Sequence, residues 1–230
     1  MITTTDQSAL AQLRLLQLVS PALPVGGFAF SHGLEYAVHA GWVSDTQSLR
    51  DWIEGVMTQS VAVIDVPLLL RCLQAASARD ADVLADCNAE ILAWRETGEL
   101  FQADIAMGAA LMKLLRSLNG FEFTVGMLNA KDISWVSAFA VAAAALHIDA
   151  QRAALAYLWN FAENQVTSAL KLMPLGQTAG QQILMDIAAK IPALVEQAKS
   201  MGDDQIGIGA PAVAMASAWH ETQYSRLFRS

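Results

Sequence analysis

"SDTQSLRDWIEGVM", residues 44–57, is the stretch that decides the fold class. Ser44 suits a helix N-cap, and Gln47 three residues later completes a capping-box pattern. Leu49, Trp52, Ile53, Val56 and Met57 then recur at i, i+3, i+4 and i+7, which is one buried helical face. The same grammar runs outward in both directions. Asp65 followed by Pro67 predicts a helix start continued by "LLLRCLQAA", with Asp65 as cap. Asp80 opens a helix through about Trp94, and another runs from near Glu96 to Leu118, stopped by Asn119-Gly120. Ser134–His147 and Asp149–Leu172 read as two more before "MPLGQ" breaks the chain. Helix resumes at Gln177, Pro192 starts or kinks a helix, and "AVAMASAWH" closes the series. Small residues such as Gly108, Ala109 and Ala110 would let helices approach closely. The only strand-like piece, "FEFTV" at 121–125, is too short and solitary to make a sheet. The prediction is a single all-α, bundle-like globular domain over 1–230, of about eight to ten helices, with segment 1–10 and tail 221–230 mobile.

Composition narrows the function. Of 230 residues, 54% are hydrophobic and only 16% charged, against about 25% charged in an average globular protein. A charge-poor surface predicts either buried partner surface in a homodimer or simply an alanine-rich helical core. The net charge of −8, with no Lys/Arg cluster, opposes nucleic-acid binding. Cys72 and Cys87 form no disulfide framework, CxxC or zinc spacing, which fits a reduced cytoplasmic setting. The N-terminus lacks the positive n-region of a signal peptide. The longest apolar-biased run, "VSAFAVAAAALHI", spans about 13 residues where a membrane span needs roughly 20, so no membrane is expected.

Catalytic motifs are missing. "PVGG" and "LGQTAG" have glycines but no downstream Gly-Lys-Ser/Thr, so neither supplies a P-loop. Ser31-His32 are neighbours about 100° apart on a helix, a poor nucleophile–base geometry, and no GxSxG elbow occurs. The four histidines, at 32, 39, 147 and 220, lack any HExxH or carboxylate-rich ligand set; they read as surface or interface residues, with a metal bridged between two chains left open. In "RETGEL", Arg95 and Glu99 are spaced for an i, i+4 ion pair. An all-α enzyme with a His32/Glu35/Asp65 pocket is the alternative to a binding protein.

Two segments have the chemistry of contact surfaces. In "SPALPVGGFAFSHGLE", residues 20–35, Pro21 and Pro24 stiffen a loop and Gly26-Gly27 permit unusual backbone angles. Phe28 and Phe30 precede a helix beginning near Ser31, where Glu35 suits the dipole; both rings pack either on a partner or internally. In "HETQYSRLFRS", residues 220–230, a helix would gather Tyr224, Leu227 and Phe228 into a stripe flanked by Arg226 and Arg229. Such a terminus is either docked on the chain's own body or waiting for a partner.

These motifs, with "RETGEL" and "ALKLMPLGQTAGQ" between them in order, resemble the UreF family of urease accessory proteins over essentially the whole chain. The resemblance implies an all-helical, dimeric, non-enzymatic protein that binds no cofactor itself. It implies a scaffold that recruits and regulates the GTPase UreG together with UreD (also called UreH) for nickel insertion into apo-urease. GTP and magnesium would sit on the GTPase, and nickel would be the delivered ion. Carried over position by position, the resemblance implies partner-binding roles for Pro24, Gly26, Gly27, His32, Glu35, Arg95, Glu96, Lys171, Gly176 and Gln177, alongside Gly33 and Pro174. It extends to the tail, with Glu221, Tyr224, Arg226, Leu227, Phe228 and Arg229, and Phe28 stands where the family commonly has tyrosine. The implied roles are a GTPase-facing "KLMPLGQ" turn and a tail that orders on UreD.

Overall fold

Every regular element in the computed structural model is helical among the described residues, which are 4–118, 128, 130–207 and 209–229, with side chains described from residue 9. In chain order they are α1 (Thr4–Leu18), α2 (Leu34–His39), α3 (Thr46–Val56), α4 (Val66–Ala78), α5 (Ala81–Ala93) and α6 (Gly98–Ser117). After them come α7 (Trp135–Ala145), α8 (Ala150–Leu172), α9 (Gln177–Ala188), α10 (Ile191–Lys199) and α11 (Pro211–His220). The strand-like "FEFTV" piece and the Asn119-Gly120 stop lie outside the described residues.

The predicted caps at Asp80, Ser134 and Asp149 hold, each side chain accepting from the amide three residues on. The cap of α3 is Asp45, one residue past Ser44. Its carboxylate accepts from Ser48 N at 2.8 Å while Ser48 Oγ accepts from Asp45 N at 3.0 Å. Asp in extended backbone closes the same box with a charged acceptor, the stronger of the two options. As predicted, Leu49, Ile53, Val56 and Met57 face inward.

The expected break at Asp65-Pro67 is absent. Residues 57–65 form a π-helical stretch that carries α3 directly into α4. Proline 67 has no N–H to give the Val63 carbonyl, and Gly207 N donates to that carbonyl instead at 3.3 Å. Gly207 is obligatory there: its φ is +99° and a Cβ would overlap the Trp94 ring. Asp65 caps nothing, because its carboxylate is committed elsewhere. The merged helix, Thr46–Ala78, is long and apolar enough to cross a membrane by length and composition. However, 72% of its apolar window is buried inside the chain, as in a core helix.

Helix α7 is the centre of the molecule, with all but its last two residues buried between α4 and α6. Its entry is fixed by Asn88 of α5, which donates to Asp132 O and accepts from Ser134 N, both at 2.9 Å. Of the predicted small contact residues Gly108 is used this way, since a Cβ there would overlap the Ile133 carbonyl, whereas Ala109 is exposed and Ala110 half-buried. Helices α4 and α5 form an antiparallel hairpin, α8 crosses behind α4 and α2, and α11 packs on α2 and α6. That last arrangement brings the C-terminal helix onto the segment that follows the glycine loop.

Candidate functional site

The loop of residues 20–33 is built by backbone exceptions. Gly26 and Gly33 take φ of +74° and +83°, and His32 a φ of +52°. Around Gly26 a Cβ would meet nothing within 4 Å, so its glycine answers to backbone angle alone. At Gly27 a Cβ would stand 3.5 Å from Met107 Sδ, an ordinary contact. Pro24 is exposed at the loop's tip. The two phenylalanines part company: Phe30 is buried and Phe28 is 60% exposed. Helix α2 starts at Leu34, three residues later than expected, because Gly33 in the left-handed region is its N-cap.

Glu35, in the first turn of α2, is buried and accepts three hydrogen bonds. Leu227 N and Phe228 N donate to it at 2.6 and 2.9 Å, and His220 Nε2 lies 2.9 Å from its Oε2. The other ring nitrogen of His220, Nδ1, is 2.8 Å from Glu99 Oε2. Both ring nitrogens of His220 are thus held against carboxylates. Glu99 also takes Arg226 Nη1 at 2.9 Å and Glu99 N donates to Glu221 Oε1 at 3.4 Å. His220 is fully buried. The clamp thus ties α2, α6, α11 and the tail.

The tail is therefore laid along the body, not helical. Residues 221–229 run as turns and bends, so the predicted stripe of Tyr224, Leu227 and Phe228 does not form. Two backbone amides are diverted to Glu35, and Arg229 N donates to Ala29 O at 2.8 Å, which a helix would forbid. Phe228 is 5% exposed, whereas Tyr224 and Leu227 face out. Lys171 Nζ, near the end of α8, stands 5.5 Å from the Phe228 ring centre and 5.8 Å from that of Phe28. Gly176 and Gln177 are exposed beyond it, Gly176 as N-cap of α9.

Arg95 does not pair with Glu99. It precedes the Thr97 cap of α6 and turns into the core, donating to Asp65 Oδ1 at 2.8 Å and to both oxygens of Asp104 at 3.1 and 3.3 Å. Tyr157 donates to Asp65 Oδ2 at 2.9 Å and Trp135 N to Asp104 Oδ1 at 3.2 Å. Burial works against the guanidinium charge, but Asp104 and Asp65 outweigh it and raise the Arg95 pKa. Burial pushes Asp104 and the Tyr157 phenol up. Glu96 is exposed and lies against Gly209.

This cluster lines one side of a cleft of about 160 Å³, with Leu23, Val25, Asn160 and Phe161 around it. His32 also faces the cleft, and its buried Nδ1 has no hydrogen-bond partner among the described residues. Glu35 points the other way, into the tail clamp, so the His32/Glu35/Asp65 pocket of the enzymatic alternative is not assembled. Burial, then the Arg95 charge, lower His32 to about 4, against a smaller rise from Asp65. A depressed folded value means stability present above about 6.5 and lost as pH falls towards 4. His32→Asn, which tolerates the left-handed backbone, is expected to flatten the fall in melting temperature over that window. Thermal melts of both proteins across it check the result.

Asp104 and Tyr157 were not singled out from sequence, and no local signal marks them, since their partners Arg95 and Asp65 are 9 and 92 positions away. Glu99 reads in the sequence only as a partner of Arg95, and its actual partners, His220 and Arg226, are 121 and 127 positions away.

The family model UreF matches residues 43–188. Among curated proteins, the "Urease accessory protein UreF" of Marinomonas sp. (strain MWYL1) is 43% identical over 229 residues, covering 100% of this chain and 97% of the relative. That of Alkalilimnicola ehrlichii is 42% identical with 100% of both chains covered. That of Azoarcus sp. (strain BH72) is 44% identical, also with 100% of both covered.

Proposed function

The chain belongs to the UreF family of urease accessory proteins, and from that premise we propose that it is a non-catalytic, cytoplasmic, homodimeric scaffold that recruits and regulates the GTPase UreG with UreD for nickel insertion into apo-urease. One observation supports this reading most. The loop at 20–35, "RETGEL", Lys171 and the C-terminal tail are far apart in sequence, yet they meet in one clamp of Glu35, Glu99, His220, Lys171 and Phe228. Those segments expose Phe28, Tyr224 and Leu227 beside the clamp. A large aromatic held outward by a rigid mount is the usual form of an interface anchor. The face offers protein contact rather than a reacting group.

Lys171→Ala tests it. The lysine is exposed, and its ring contacts are worth about 0.5–1 kcal/mol at such a site, so the melting temperature is expected to move little. Co-purification with UreG and UreD, and nickel-dependent urease activation in cells, are expected to fall sharply. Intact binding and activation in the variant would overturn the role given to this face.

A further inference from the structure

We propose that Cys72 and Cys87 are a peroxide-oxidisable thiol pair that closes to an intramolecular disulfide across the α4–α5 hairpin. The placement comes from the turn. Cys72 lies seven positions before Arg79 and Cys87 seven positions after Asp80, the two residues that join the helices. At 1.5 Å per residue each is about 10 Å from the connection, so the two stand opposite one another on packed antiparallel helices. Both thiols lie in the same core, each is the largest influence on the other's proton affinity, and Cys72 Sγ lies 3.7 Å from Ser137 Oγ of α7.

The two sulfurs are not equivalent. Cys72 is fully buried, and Cys87 keeps 7% of its surface. The neighbouring Cys72 draws the Cys87 thiol below its ordinary value, with Arg71 adding to the effect, while Cys87 and burial push Cys72 well above its own. Cys87 is thus the better thiolate and the more accessible one. Its sulfur attacks one oxygen of hydrogen peroxide; the O–O bond breaks and the leaving hydroxide takes a proton to become water. The Cys87 sulfenic acid is then attacked by Cys72 Sγ. The S–S bond forms, the S–O bond breaks, and the hydroxide leaves with the Cys72 proton as a second water. Two thiols lose two electrons and one peroxide gains them.

The bond would tie the same two helices that Arg95 and Asp65 tie at the hairpin's open end, since Asp65 directly precedes α4 and Arg95 follows α5 by two residues. Closing a loop of about 15 residues is expected to raise the melting temperature by about 5–10 °C.

Hydrogen peroxide on the reduced, folded protein, followed by alkylation, intact mass and non-reducing peptide mapping, tests this. The expected result is loss of two hydrogens, a cross-linked pair of peptides holding residues 72 and 87, a higher melting temperature, and reversal by dithiothreitol. In Cys72→Ala, Cys87 is expected to accumulate sulfenic acid that dimedone traps; in Cys87→Ala, Cys72 stays reduced. Thiols untouched in the folded protein, Cys87 carried to sulfinic acid without a cross-link, or links only between chains would overturn the proposal. So would a Cys72 that reacts as fast without Cys87. The wild-type mapping decides the matter even if a variant folds poorly.

Discussion

Arg95→Met is expected to destabilise the protein by about 3–5 kcal/mol, the cost of leaving a buried ion pair with one side missing. Arg95, Asp65 and Asp104 side chains are only 11%, 10% and 6% exposed, so water cannot take over the lost interactions. Methionine keeps the unbranched stem and nearly the same volume, though not the reach of the guanidinium, so the loss is mainly one of charge and hydrogen bonds. Arg95→Lys is expected to recover only part, because one ammonium cannot serve the forked contact to Asp104 and the bond to Asp65 together. The deficit should also depend on pH. Asp104 is already raised by burial, and Arg95 is what holds it down. Without Arg95 its folded value rises further above the unfolded one. A raised acid contributes stability that is present at low pH and lost as pH increases. The gap between variant and parent is therefore expected to be widest at neutral pH and to narrow towards acid. Chemical denaturation at several pH values checks both statements, and a variant as stable as the parent at neutral pH would refute them.

Deleting residues 221–230 is expected to cost about 3 kcal/mol and to abolish the proposed complex with UreD. The stability loss follows from burial of Phe228, about 1.5–3 kcal/mol for a fully buried large apolar side chain, and from two amide bonds to a buried carboxylate. Glu35 and Glu99 would keep His220 but lose the tail amides and Arg226. A tail that merely waited for its partner would leave the melting temperature unchanged on deletion, so the melt distinguishes the two arrangements. Tyr224→Ala separates fold from recognition. Its side chain is entirely exposed, so stability should hold while binding to UreD weakens at least tenfold. Full-strength binding by that variant would remove Tyr224 from the interface.

Helical class, most helix starts and the buried faces were legible in the sequence because each depends on groups within about four positions. Asp80, Ser134 and Asp149 cap amides three residues away. The heptad-like spacing around Leu49 and Ile53 reports a face whatever it packs on. The motifs that place the chain in its family were likewise readable in order along it. Local reasoning failed wherever a polar group had a distant competitor. Asp65 looked like a cap and serves Arg95 and Tyr157. Arg95 looked like the partner of Glu99, four positions on, and is drawn inward by two buried carboxylates. Pro67 looked like a helix start, and the helix runs through it because Gly207, 140 positions away, satisfies the carbonyl it orphans.

The sequence by itself determined an all-α chain, charge-poor and without catalytic motifs, with a stiff glycine loop at one end and an aromatic tail at the other. Only the tertiary structure decided that these ends meet. A helix obeys hydrogen bonds four residues apart, whereas the choice between an inward and an outward Phe28, Phe30 or Phe228 depends on which surface the rest of the chain brings up to them. Buried charge makes that choice strict. Glu35, His220 and Glu99 are tolerable in the interior only in one another's company, and their 185- and 121-residue separations leave no trace along the chain.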